Sequence, residues 1–128
     1  MHPNAAVVQR LQQAFVARDV ATLFQLVSGD LTLYVPGRSV FAGVHRGGEQ
    51  ILKVFYDSGR MAGRSFRLEV RGLVGGDDHV VAMHHITGRR DGKVLDQDSY
   101  LVCHVRGGLL TDVWVVLADL RQFDDFWS

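Results

Sequence analysis

The run His79-Val80-Val81-Ala82-Met83-His84-His85-Ile86-Thr87-Gly88 holds the strongest candidate for proton chemistry in this chain. Extended backbone would place Ala82, His84, Ile86 and Gly88 on one face and His85 on the other. An imidazole among apolar neighbours titrates near neutral pH, so His84 is a candidate general acid or base. Its ordinary alternative is a half-buried histidine bonded to a neighbouring strand or to water. Downstream, Asp96 and Asp98 place two carboxylates on one strand face. Such a pair can share a proton or bind a cation, but exposed acids beside Arg89 or Arg90 across a hairpin are the better expectation. Cys103 is the single cysteine. A nucleophilic thiol needs a base and an electropositive setting, whereas the alternate neighbours Leu101 and Val105 are apolar, so a buried structural thiol is expected. His84, His85, His104 and Cys103 are split by alternation between two faces, and zinc needs ligands that converge. No metal site and no cofactor is expected. Ser99 is a plausible hydrogen-bond donor to a ligand.

The elements that must position these residues follow from periodicity. Residues 4–18 read as a helix with Asn4 as N-cap, an apolar face of Val7, Val8, Leu11, Ala14 and Phe15, and a polar face that includes Gln9, Gln12 and Gln13. Asp19 caps a short second helix that stops at Ser28-Gly29-Asp30. Leu31–Val35 is a strand ended by Pro36-Gly37, and 38–48 is loop. A third helix runs from about Glu49 to Ser58, with Tyr56 and Asp57 near its end. Beyond Gly63 the period changes to two, giving strands at 66–72, 79–90, 93–105 and 109–117, with Asp91-Gly92 a hairpin turn. Residues 122–127 are a short aromatic segment, about one helical turn. Helices first and strands later predict one α+β domain over residues 1–128, helices gathered on one face of an antiparallel meander. Apolar residues at both parities of the last strand, Val113 and Val115 against Trp114 and Val116, call for cover on the second face as well. A homodimer supplies it.

Composition limits the partners. The 128 residues carry 14 basic and 14 acidic side chains, which argues against nucleic acid and against an electrostatic membrane anchor. Apolar residues are 47% of the chain, enough for a real core without disulfides. No apolar run approaches the roughly 20 residues of a membrane span. A lone cysteine and no secretory leader pattern fit a reducing cytoplasm.

Three segments together carry a resemblance: Tyr34-Val35-Pro36-Gly37-Arg38-Ser39 with Ala42-Gly43 and Arg46-Gly47; the hairpin Arg90-Asp91-Gly92-Lys93; and the tail Phe123-Asp124-Asp125-Phe126-Trp127-Ser128. In this element order the chain resembles the SnoaL-like branch of the nuclear transport factor 2-like superfamily, which also holds the ketosteroid isomerases. The resemblance implies a cone whose helices and concave sheet face enclose a largely apolar pocket, with a dimer through the convex face. The isomerase base aspartate would fall on Val35, the oxyanion-hole tyrosine on Leu11 and the protonated aspartate on Leu101. None of the three groups is present, and enolisation needs both a base and oxyanion donors.

With Val35 and Leu101 marking the concave face, His84, Ser99, Cys103 and Val113 share it, and Leu31, Leu33 and Phe15 close the bottom. The expected ligand lining is Phe15, Leu33, Val35, Phe55, Tyr56, Ser99, Leu101, Cys103 and Val113, with His84 the catalytic candidate. Arg38 and Ser39 would lie near the mouth. Phe41, Phe123, Phe126 and Trp127 form either an aromatic lid or a packed tail. Two functions fit this lining. One is an enzyme of cyclase, isomerase, dehydratase or epoxide hydrolase type acting on an apolar small molecule. The other is a non-catalytic binding or assembly domain.

Overall fold

The computed structural model describes residues 1–128. The elements are α1 (Pro3–Val16), α2 (Val20–Leu26), β1 (Val27–Val35), β2 (Gly43–Arg46), α3 (Gly48–Met61), β3 (Arg67–Gly75), β4 (His79–Arg90), β5 (Lys93–Arg106), β6 (Leu109–Leu117) and α4 (Leu120–Phe126). All six strands form one sheet in the order β2-β1-β6-β5-β4-β3. Strands β3 to β6 are the expected antiparallel meander. Strand β1 lies parallel to β6 and pairs antiparallel with β2.

Four local expectations are corrected. The aromatic tail is longer than one turn: it is a fourth helix of 7 residues, because Asp119 caps it through a bond from Gln122 N to Asp119 Oδ1. Strand β2 lies within the segment expected to be loop. It is four residues long and begins at Gly43, whose φ is +118°, so it is too short to display a period. Strand β1 starts at Val27, since the chain is already extended where α2 ends; Ser28-Gly29-Asp30 is therefore strand. At the start of α1 the cap is His2, whose Nδ1 accepts from Asn4 N at 3.1 Å. The Asn4 amide instead donates to Gly76 O and Asp77 O, tying α1 to the β3–β4 turn.

The helices cover one sheet face. Their apolar stripes and the inward strand residues form two buried clusters. The larger gathers Val8 of α1, Ile51 of α3, and Leu33, Ala82, Cys103 and Val113 of the sheet. The smaller gathers Phe41, Ala62, Ile86, Leu95, Phe126 and Trp127. The other sheet face has no helix on it. Register aligns Val44, Tyr34, Trp114, Val102, Val81 and Val74 in one row across all six strands. Within that row Tyr34 and Trp114 stack at 5.0 Å.

Candidate functional site

The boundary between the two clusters is polar. On β4, Ala82 belongs to the larger cluster and Ile86 to the smaller, and His84 stands between them. On β5, Ser99 is the direct register partner of His84, and Gln97 follows on the same face. Three of the four buried polar residues, His84, Gln97 and Ser99, lie on this seam. Toward the sheet edge, His84 pairs with Val70 of β3, which is 47% exposed. The β3–β4 register slips between Val70 and Gly72, a bulge that bends the edge strand there. The seam thus reaches solvent beside β3. Above it, Gln12 of α1 meets His84. One helical turn further on, Phe15 packs edge-on against Phe55 of α3 at 5.2 Å, the two rings being 38% and 40% exposed. Phe15 is consequently at an exposed edge rather than the closed bottom, because it lies in the last turn of α1, which ends at Val16.

His84 is 2% exposed, and its Nε2 lies 2.8 Å from Gln12 Oε1. An amide oxygen only accepts, so Nε2 carries the proton and Nδ1 carries the lone pair. Nδ1 is buried and has no partner in the chain. Burial lowers the His84 pKa from its ordinary 6.5, since a desolvated imidazolium is disfavoured. The result is a neutral base of fixed tautomer with a free lone pair among mostly apolar side chains.

The other expected residues divide clearly. Leu33, Val35, Cys103 and Val113 belong to the larger cluster, and Leu101 packs against it. Burial pushes the Cys103 thiol up to about 12, which keeps it protonated near neutral pH and fits a structural thiol rather than a nucleophile. Tyr56 does not join the seam: it is 69% exposed and lies under the Arg60 guanidinium. Gln97 is structural, its amide donating to Asp119 O and Gln122 Oε1 while its carbonyl accepts from Asp119 N. Near the rim of the β1–β2 loop, the Arg38 amide donates to the Asp124 carboxylate and the Ser39 hydroxyl accepts from Phe41 N. The aromatic tail is core: Phe126 and Trp127 are fully buried and pack edge-on at 4.7 Å.

Asp96 and Asp98 are paired with neither Arg89 nor Arg90. Both hold His85 on the uncovered face, at 2.6 Å through Nε2 and 2.7 Å through Nδ1. Alternation from Asp96 and Asp98 puts His85, the cross-strand partner of Asp98, between them, a pairing that hairpin-turn arginines cannot reach.

Gln12 is the partner that its polar neighbours hid. It lies four residues after Val8 and three before Phe15, a spacing that puts it on the inward stripe. Two open surface clefts, of about 300 Å3 and 280 Å3, lie elsewhere, beside α4 and around the β4–β5 hairpin. Their linings are mainly exposed charged groups, unlike the seam.

Helices over one face of a six-stranded sheet, with a polar seam in the covered side, define a cone of the nuclear transport factor 2-like class. A SnoaL-like domain model matches residues 8–113. The chain belongs to the SnoaL-like family. An uncharacterized protein of Mycobacterium tuberculosis is 30% identical over 95% of this chain and 94% of its own. Among solved structures, Bal32a from a soil-derived mobile gene cassette is 33% identical, with a TM-score of 0.91 over 98% of this chain and 97% of that one. An NTF2-like protein of Burkholderia xenovorans, 18% identical, superposes with a TM-score of 0.83 over 100% and 98% of the two chains. TerC, co-crystallised with polyporic acid, is 20% identical with a TM-score of 0.82 over 97% of each. The latter two share the fold.

Proposed function

We propose that this SnoaL-like chain is a small-molecule enzyme of cyclase, isomerase, dehydratase or epoxide hydrolase type, acting on an apolar substrate in the seam with His84 as the proton-transfer group. The carrying observation is the unpartnered, buried Nδ1 of a histidine whose other nitrogen is held by Gln12. A substrate C–H or O–H placed against Nδ1 gives up its proton there. The Nε2–H to Gln12 bond strengthens as the ring becomes cationic, because a charged donor binds the amide oxygen more tightly. The proton then returns to another substrate atom, and the ring is neutral again. Ser99, opposite His84, is the adjacent hydroxyl that can donate to a developing oxyanion. Co-crystallisation of TerC with a small molecule supports this use of the fold. A reducing, cytoplasmic setting is part of the same proposal.

The test needs no knowledge of the natural substrate. Nitrobenzisoxazole is a flat apolar carbon acid. Loss of its C–H proton to a base breaks the ring N–O bond and releases a coloured nitrile-phenolate. Wild-type protein is expected to turn it over saturably, and His84→Phe to reduce kcat/KM at least 100-fold, within the range of general-base contributions. Equal rates in the two proteins would remove His84 from the chemistry.

The missing isomerase groups at Leu11, Val35 and Leu101 favour a second reading, in which the chain binds without converting. Saturable ligand binding with no turnover in any proton-transfer assay would establish it. In either case we propose that a second copy of the chain covers the apolar row on the bare sheet face.

A further inference from the structure

Two buried side-chain atoms lack a hydrogen-bond partner, and their needs are opposite: His84 Nδ1 and Trp127 Nε1. The histidine nitrogen requires a donor, and the indole N–H requires an acceptor. Leaving either unmet in a buried place forfeits the hydrogen bond it made with water, and native structures retain few such groups. The two residues are close in the fold. Trp127 packs in the cluster that contains Ile86, and Ile86 is the next residue after His84 on the same face of β4, roughly 7 Å along the strand. Val54 and Phe123 pack against the clusters on both sides of the seam, so the two clusters are continuous across it. The rings around the indole are phenyl: Phe41 at 5.3 Å, Phe126 at 4.7 Å, and Phe123 and Phe66 each at 6.3 Å. None of them offers an acceptor oxygen.

We propose that Trp127 Nε1–H is the second polar contact of the ligand site, donating to an acceptor oxygen of the molecule whose hydroxyl or acidic C–H faces His84. This rests on the small-molecule site proposed above and narrows its ligand class. The ligand is rigid and mostly apolar, with a proton donor at one position and a carbonyl or ether oxygen at another, separated by a hydrocarbon skeleton. A pure hydrocarbon would leave both protein groups unmet. A molecule whose second polar group only donates would leave the indole unmet.

Four probes of one shape isolate the contact: a hydroxytetralone with hydroxyl and ketone on opposite rings, the tetrahydronaphthol lacking the ketone, the tetralone lacking the hydroxyl, and tetralin. Affinities are measured on wild type, on His84→Phe, and on protein with Trp127→benzothienylalanine, which keeps the ring shape and lacks the N–H. Removing the ketone is expected to cost about tenfold in wild type and nothing in the benzothienylalanine protein. Removing the hydroxyl is expected to cost a similar factor in both of these and nothing in His84→Phe. In nitrogen-labelled wild type the hydroxytetralone should move the Trp127 indole resonance and leave that of Trp114, on the bare face, in place. The inference is overturned if the ketone is worth the same with and without the N–H, or if the hydroxytetralone binds while the Trp127 resonance stays still. Loss of the ketone effect alone, with the His84-dependent hydroxyl effect intact, leaves the proposed function standing. Failure of all four probes to bind removes the site and both proposals together.

Discussion

His84 and His85 are neighbours in sequence and have opposite surroundings. The first is enclosed by apolar side chains, and burial lowers its pKa; the second sits between two carboxylates, and its hydrogen bonds to Asp98 and Asp96 raise its pKa. Their linkage to stability therefore has opposite signs. Below 6.5 the unfolded chain protonates residue 84 more readily than the folded chain does. The His84 contribution is thus full above 6.5 and is lost as pH falls through the lowered folded value. For His85 the folded chain holds the proton longer, so its contribution is full below 6.5 and is lost as pH rises through the raised folded value. Melting temperatures measured from pH 5 to 9 should show His84→Phe flattening the acid limb and His85→Gln flattening the alkaline limb. An acid limb unchanged by His84→Phe would show that residue 84 is not desolvated in the folded chain.

At the scale of elements, the long period-two runs were legible because each strand of the meander has one face on the core. Burial alternates residue by residue through most of β4, from Val80 to Gly88. What escaped were elements whose cause is tertiary. Strand β2 is held by β1 and by the bond from Gly47 N to Leu31 O, contacts that four residues cannot advertise. Gln12 was legible by its spacing and hidden by its type. At its N-terminal end the fourth helix is docked by a buried side chain from β5. Gln97 bonds both Asp119 and Gln122, and Gln122 Oε1 in turn accepts from Asp96 N. Gln97→Leu keeps the volume and strands these partners. It should lower the unfolding free energy by about 2 kcal/mol and shift Trp127 emission to the red as α4 loosens. An unchanged midpoint in a denaturant titration would mean that the aromatic contacts of Phe126 and Trp127, with the Arg90 bond to Phe126 O and the Arg38 bond to Asp124, hold α4 without Gln97.

The whole molecule poses a question of cover. One sheet face is buried under four helices. The other presents an apolar row six strands wide, with the Tyr34–Trp114 stack near its middle. Polar groups flank this row on both sides: His85 with Asp96 and Asp98 on one, and His104 beside Asp112 on the other. An apolar centre with a polar rim is the anatomy of a protein interface, and zero formal net charge opposes self-association little. A twofold axis through the row would let the same surface serve both partners. The dimer proposed above should sediment as two chains at micromolar concentration, with a melting temperature that rises with protein concentration. Trp114→Arg places a charge at the centre of the row without touching the seam. It should give a folded monomer with unchanged circular dichroism and with nitrobenzisoxazole turnover retained per chain. A wild type that sediments as one chain at tens of micromolar, or a Trp114→Arg protein that remains paired, would show that the bare face meets solvent or a different partner.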